Sequence, residues 1–202
     1  ATTSWLLEFA HPLVKVTIVP RGKALGAAWY LPNERQITTK EQMYHEMIAT
    51  LGGRAAEQLI FGHISTGALS DLEKVTKQAT AMIAYYGLDE KIGNRSYYDS
   101  TGQQDYALTK PFSEKTAEII DEQVSKLIES AYQEALRILG ENIDGLTQLA
   151  NKLIDKEVVF GDDLEMIFGK RPWVKEEIDF PKESQQTTDN GQQSESTEEN
   201  LV

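Results

Sequence analysis

Two adjacent glycines, Gly52 and Gly53, stand inside a run of apolar residues without disturbing its period. Met43, Met47, Leu51, Ala55 and Leu59 recur every four residues straight across the pair, the spacing of one helical face. A glycine in a helix interior costs about 1 kcal/mol relative to alanine. A helix that keeps two must gain something from their lack of bulk. With Ala55 and Ala56 they leave one side of the helix bare, which lets a second helix approach closely. Thr39 and Gln42 provide an N-cap and capping box, so the helix is predicted over 39–61, ending near Phe61-Gly62.

A short loop, His63 to Leu69, leads into a second predicted helix. Ser70 with Glu73 repeats the capping-box pattern, which makes Ser70 the expected N-cap and puts Asp71 in the first turn. A carboxylate there is favoured by free backbone N–H groups and the positive end of the helix dipole, by roughly 0.3–1 kcal/mol. That accounts for an aspartate without any chemistry. The other reading is that Asp71 carries a reaction, and spacing alone leaves both open. The helix is expected to run to Tyr86, with Gly87 at C′.

The remaining pattern is helical at both ends, with strands between. Ala1 to Ala10 reads as the last turns of a helix entered from upstream, and Pro12 ends it. Leu13 to Val19 alternates, with Val14, Val16 and Ile18 on one face and Lys15 and Thr17 on the other. After a turn at Arg21-Gly22-Lys23, Ala24 to Leu31 returns as a hairpin partner, closed by Pro32 and Asn33. The polar stretch 92–109 reads as a loop or flap. From Pro111-Phe112-Ser113 a helix carries Ile120, Val124, Leu127, Ala131, Ala135 and Ile138, breaks near Gly140, and gives way to another bearing Ile143, Leu146, Leu149 and Leu153. Val158 to Phe160 is a short apolar segment, and 162–168 has room for one or two helical turns. The expected fold is mainly α: a helical domain over 1–173, with a small β-hairpin or sheet near the N-terminus and a long C-terminal helical pair. In 174–202 two lysines stand against eight acidic residues in a Gln/Ser/Thr-rich tail, which reads as disordered.

Charge and cysteine content narrow the chemistry. A net charge of -12 is the wrong sign for nucleic acid or an anionic membrane surface. With no cysteine, any metal must be held by His, Asp or Glu. His45-Glu46 opens like a His-Glu-x-x-His zinc motif, but Ala49 stands where the second histidine belongs. His63 is either a partner near Asp71 or a solvated loop residue, and His11, ahead of Pro12, receives no role. The chain begins at Ala1 without a methionine, basic leader or cleavable segment, and reads as a piece of something longer.

Three strings together, Lys15 to Gly26 (KVTIVPRGKALG), Leu51 to Glu57 (LGGRAAE) and Thr66-Gly67-Ala68 with Ser70-Asp71-Leu72, resemble the peptidase domain of the FtsH family of membrane-anchored, ATP-dependent zinc proteases. The resemblance runs from about Ala1 to Trp173, and Lys110-Pro111-Phe112-Ser113 with Arg171-Pro172-Trp173 leans toward the branch shared with mitochondrial members. It implies a mostly helical domain in which a His-Glu-Ala-Gly-His helix supplies two zinc ligands and the general base. A carboxylate from a later helix completes the set. That carboxylate corresponds to Asp71, with Glu57 as the rival. The second histidine would fall immediately before Ala1, so the catalytic glutamate, the ATPase module with its ATP and Mg, and the membrane spans are expected in the parent protein and not in this stretch. The parent would be a homo-hexamer degrading misfolded membrane and cytoplasmic proteins, at the inner membrane with its peptidase domain on the cytoplasmic side if bacterial. This stretch alone would be soluble, inactive and metal-free. The alternative is a non-catalytic helical assembly or partner-binding module. Since Leu13 to Val19 would follow the active-site helix, its edge is expected to be free near the zinc, where an extended substrate could add to it.

Overall fold

The computed structural model describes residues 1–20, 22, 26–31, 37–98, 111–171 and 173. Its elements, in chain order, are α1 (Thr2–Leu6), β1 (Leu13–Thr17), β2 (Ala27–Tyr30), α2 (Lys40–Phe61), α3 (Leu69–Thr80), α4 (Glu114–Glu141), α5 (Ile143–Lys156), β3 (Val158–Phe160) and α6 (Gly161–Phe168). The fold is mainly α with one small antiparallel sheet, as the pattern predicts. The tail 174–202, the end of the 92–109 stretch and much of the β1–β2 turn lie outside the described residues.

The glycine-bearing helix is the hub. Thr39 caps α2 with the full reciprocal box: Gln42 N–H donates to Thr39 Oγ1 at 3.3 Å and Thr39 N–H to Gln42 Oε1 at 2.8 Å. The main core forms where Met47, Ile48, Leu51 and Ala55 of α2 meet Val75 and Ala79 of α3 and Ala131, Ala135, Ile138 and Leu139 of α4. Small residues at the helix crossings let the backbones come close while the large ones interdigitate. Gly52 admits α1, because a Cβ at that position would overlap the Thr3 side chain. Gly53 faces open space, so only one of the pair is spent on helix approach.

Several expectations require correction. The helix bearing Asp71 begins at Leu69 with Ala68 at the N-cap position, so Ser70 lies inside the first turn and caps nothing. A 3₁₀ turn at Thr66–Ala68 feeds directly into α3 and already orders the chain there; its cap is Ser65, whose Oγ accepts from Gly67 N–H at 3.2 Å. The same helix loosens into a π-turn at Ala81–Tyr85, closed by Tyr86 N–H to Ala81 C=O at 2.9 Å, before Gly87 turns it off at φ 62°.

The sheet differs most. Its order is β2-β1-β3, so β1 is the central strand, paired to β2 on one side and to β3 on the other. The expected free edge of β1 does not exist. The β1 register to β2 also slips between Leu13 and Lys15, and burial along the strand does not follow the simple alternation: Val16 packs on the core with Leu13 and Val159. Val14 and Ile18 are exposed, while Leu13 and Thr17 are buried. Burial of Thr17 is tolerated because its hydroxyl donates to Glu157 C=O at 2.7 Å and accepts from Val19 N–H at 3.1 Å.

Asp163 holds the C-terminal corner together. It accepts from Phe160 N–H at 3.1 Å in the first turn of α6, and its other oxygen meets Lys152 Nζ at 2.6 Å and Lys156 Nζ at 3.5 Å. The Lys152 hydrogen bond, and then that from Phe160, lowers its pKa from 3.8 to about 2. Its ionised form therefore stabilises the fold at every pH above the ordinary carboxylate value, and that contribution is lost as the pH falls through about 2. Asp163→Asn is expected to cost about 2 kcal/mol at pH 7, the scale of a charge-assisted hydrogen bond. Urea unfolding as a function of pH checks this. The gap to the unsubstituted chain should narrow below about pH 4; a constant gap would show that the charge is not responsible.

Candidate active-site cleft

Asp71 sits in the first turn of α3, half-buried on the wall of a cleft of about 440 Å³. Its neighbours come from four elements. Ala1 and Ser4 belong to the α1 region, Ala10 and His11 to the α1–β1 connection, Gly26, Ala28 and Tyr30 to β2 and its approach, and Glu46, Ala49, Thr50 and Gly53 to α2. The alternation 26, 28, 30 places one face of β2 against the cleft, and β2 is an edge strand. Lys74, one turn beyond Asp71 on α3, completes the wall.

The electrostatics single Asp71 out. Burial pushes its carboxyl pKa up, and the nearby Lys74 pulls it back in part. Among the described residues no hydrogen bond or ion pair reaches its carboxylate. Tyr30 nearby is also held above its ordinary pKa, chiefly by burial, although Ser4 Oγ lies 3.4 Å from its hydroxyl. Glu57, in contrast, is committed elsewhere: its carboxylate takes the Ser65 hydroxyl at 2.6 Å and Ser65 N–H at 3.4 Å, and these bonds lower its pKa. It fixes the loop between α2 and α3 from the exposed side and does not line the cleft.

The histidines divide in a way the spacing does not show. His63 is an exposed loop residue, its Nδ1 2.8 Å from Phe61 C=O, and it does not line the cleft. His45 turns the other way along α2 and accepts from Phe9 N–H at 3.3 Å through Nδ1, which fits a neutral ring whose pKa is lowered by burial. His11, given no role from sequence, enters the cleft with Nε2 3.4 Å from Glu46 Oε1. Gln78 Nε2 holds the other Glu46 oxygen at 3.1 Å and Met43 C=O at 3.2 Å. The spacing 71, 74, 78 on one helix was the available signal for Lys74 and Gln78. Nothing in the periodicity marks His11, Glu46 or Tyr30.

Asp71 suits the carboxylate ligand of a metal: it is partly desolvated and, among the described residues, carries no competing cation in direct contact. Among the described residues no three of His, Asp and Glu are grouped to hold a metal ion. The family model of peptidase family M41 matches residues 1–167, which includes α1, the sheet and the Asp71 helix. The chain belongs to peptidase family M41.

Its similarity to individual M41 proteins is high. It is 64% identical over 174 residues to the ATP-dependent zinc metalloprotease FtsH of Parabacteroides distasonis, covering 86% of this chain and 25% of that protein. It is 54% identical over 167 residues to FtsH of Karelsulcia muelleri, covering 83% and 27%. With the mitochondrial inner membrane m-AAA protease component AFG3L2 of Mus musculus the identity is 45% over 175 residues, covering 87% and 22%. The M41 chain thus spans about a quarter of the length of these relatives. Among its described residues no helix is long and apolar enough to cross a membrane.

Proposed function

We propose that this chain is the helical body of the peptidase domain, over 1–173, of an ATP-dependent zinc endopeptidase that degrades misfolded membrane and cytoplasmic proteins as a membrane-anchored homo-hexamer. Asp71 is its contribution to the zinc site, and the single observation that carries the reading is that this carboxylate stands partly desolvated and, among the described residues, uncommitted in a cleft that also borders Ala1. A helix running into Ala1 from upstream would bring histidines to the same cleft. Zinc, when bound, polarises a peptide carbonyl and acidifies a coordinated water. The residues of this stretch do the rest of the site's work by shape. Ala28, Ala49 and Gly53 keep the walls low enough for a peptide to lie between β2 and α2, and Tyr30 offers a hydroxyl beside Asp71.

One carboxylate cannot fix a catalytic zinc, which takes three protein ligands. The 202-residue chain by itself is expected to bind less than about a tenth of a zinc per molecule at micromolar metal and to leave casein intact. The full-length gene product, supplied with ATP, should carry zinc and cleave casein. Elemental analysis and a casein digest of the two proteins side by side check this. A full-length protein that holds no zinc and cleaves nothing would favour a non-catalytic assembly module instead.

A further inference from the structure

Arg171 lies just past α6 and reaches back across the molecule. Its Nη2 donates to Leu7 C=O at 2.9 Å and also to Ala10 C=O. Among the described residues no carboxylate pairs with it, and its Nε is buried without a partner. Among the described residues this half-buried guanidinium rests on carbonyl groups, which is expensive in desolvation. Burial lowers its pKa accordingly. The retained cost points to what the two carbonyls belong to. Leu7 and Ala10 bracket the connection between α1 and β1, and Ala10 and His11 form one wall of the Asp71 cleft.

That connection is tied from several directions. Arg171 holds it from the C-terminal side, and one residue pair away Trp5 Nε1 donates to Gly169 C=O at 3.1 Å. From α2, His45 accepts from Phe9 N–H, and Glu46 meets His11. Both sets of ties are needed for a loop of this length to present fixed side chains, since a loop anchored on one side keeps several backbone conformations.

We propose that Arg171 is a positioning residue for the cleft: by bridging the Leu7 and Ala10 carbonyls it sets the wall that carries Ala10 and His11, and the exit of α1, against Asp71. The proposal rests on the peptidase reading for its effect on rate, but not for its effect on the loop. A misplacement of about 1 Å in a catalytic constellation costs on the order of 10²-fold in rate. In the full-length protein, Arg171→Ala is expected to lower kcat/KM for casein by about 10- to 100-fold, mainly through kcat. ATP hydrolysis should stay within about twofold of the unsubstituted protein, because it does not depend on this wall.

Three further readouts separate positioning from loss of fold. Methylguanidinium added to R171A should restore part of the activity, and Arg171→Lys, which keeps a donor but not the fork, should fall between the two. Hydrogen exchange at the Phe9 amide, followed by mass spectrometry on the same full-length proteins, should speed up by about tenfold or more in R171A. Unchanged exchange at Phe9 overturns the proposal whether or not any proteolysis is seen. Wild-type kcat/KM in R171A overturns it as well, and so does a loss that tracks the unfolded fraction and ignores methylguanidinium. A full-length protein that cleaves nothing while R171A still loosens Phe9 would sink the peptidase reading and leave the positioning role standing.

Discussion

Asp71→Ala in the full-length protein is expected to lose its zinc and at least about 10²-fold of its proteolytic rate, while ATP hydrolysis continues. Loss of a residue that merely orients a metal ligand already costs about 10- to 100-fold in affinity or activity, and loss of the ligand itself should cost more. The carboxylate is well placed to be missed. Among the described residues nothing else is bonded to it, and burial has raised its pKa. Removing it should therefore leave the fold intact, or slightly more stable at neutral pH, since a carboxyl with a raised pKa penalises the folded state once it ionises. Zinc per chain, casein cleavage and ATPase rate, measured on the same preparation, give the answer. The parallel Glu57→Ala protein should keep both metal and activity, because Glu57 is spent on Ser65. If the two variants exchange behaviour, the ligand is Glu57 and the assignment of Asp71 is wrong.

The second large effect concerns the glycine pair. Gly52→Ala is expected to destabilise the protein by about 2 kcal/mol even though alanine is the better helix former by about 1 kcal/mol. The added methyl would collide with Thr3, a buried residue on α1, so either α1 moves or α2 bends. Gly53→Ala, one residue along the same helix, meets nothing within 4 Å and should gain about 0.5–1 kcal/mol. For a chain of this size the two substitutions should shift Tm in opposite directions, down by roughly 4–8 °C and up by roughly 1–4 °C. Thermal unfolding of the pair is a direct comparison. Equal effects, in either direction, would mean that the approach of α1 is not what Gly52 is for.

These expectations also show how far the sequence could be read. The long helices were legible because their information is local: α2 carries its own cap at Thr39 and Gln42, and the stripes of α4 and α5 repeat within a few residues of each other. Asp71 was legible as a candidate through the family strings around it, and its position in a first turn survived even though the cap moved to Ser65 and the start to Leu69. The sheet was not. Its central strand is decided by a partner, β3, that reads only as three apolar residues, and by a bulge that no alternation pattern encodes. The same holds for the cleft: His11 and Glu46 are 35 positions apart, and their meeting depends on how α1 and α2 cross at Gly52.

The central place of β1 has a consequence for the order of events during synthesis. Its hydrogen bonds to β2 close a short hairpin, but those to the β3 side, such as Thr17 to Glu157, span 140 residues. At about 5–20 residues per second, a ribosome needs many seconds between making the first strand and delivering the third. Helices such as α2 can form and dock in that interval, whereas the sheet has to wait with one side of β1 unsatisfied. Contacts of such long sequence separation are the slow ones in folding. The newborn chain therefore spends that interval with an open strand edge of its own, the kind of surface by which misfolded polypeptides adhere to one another.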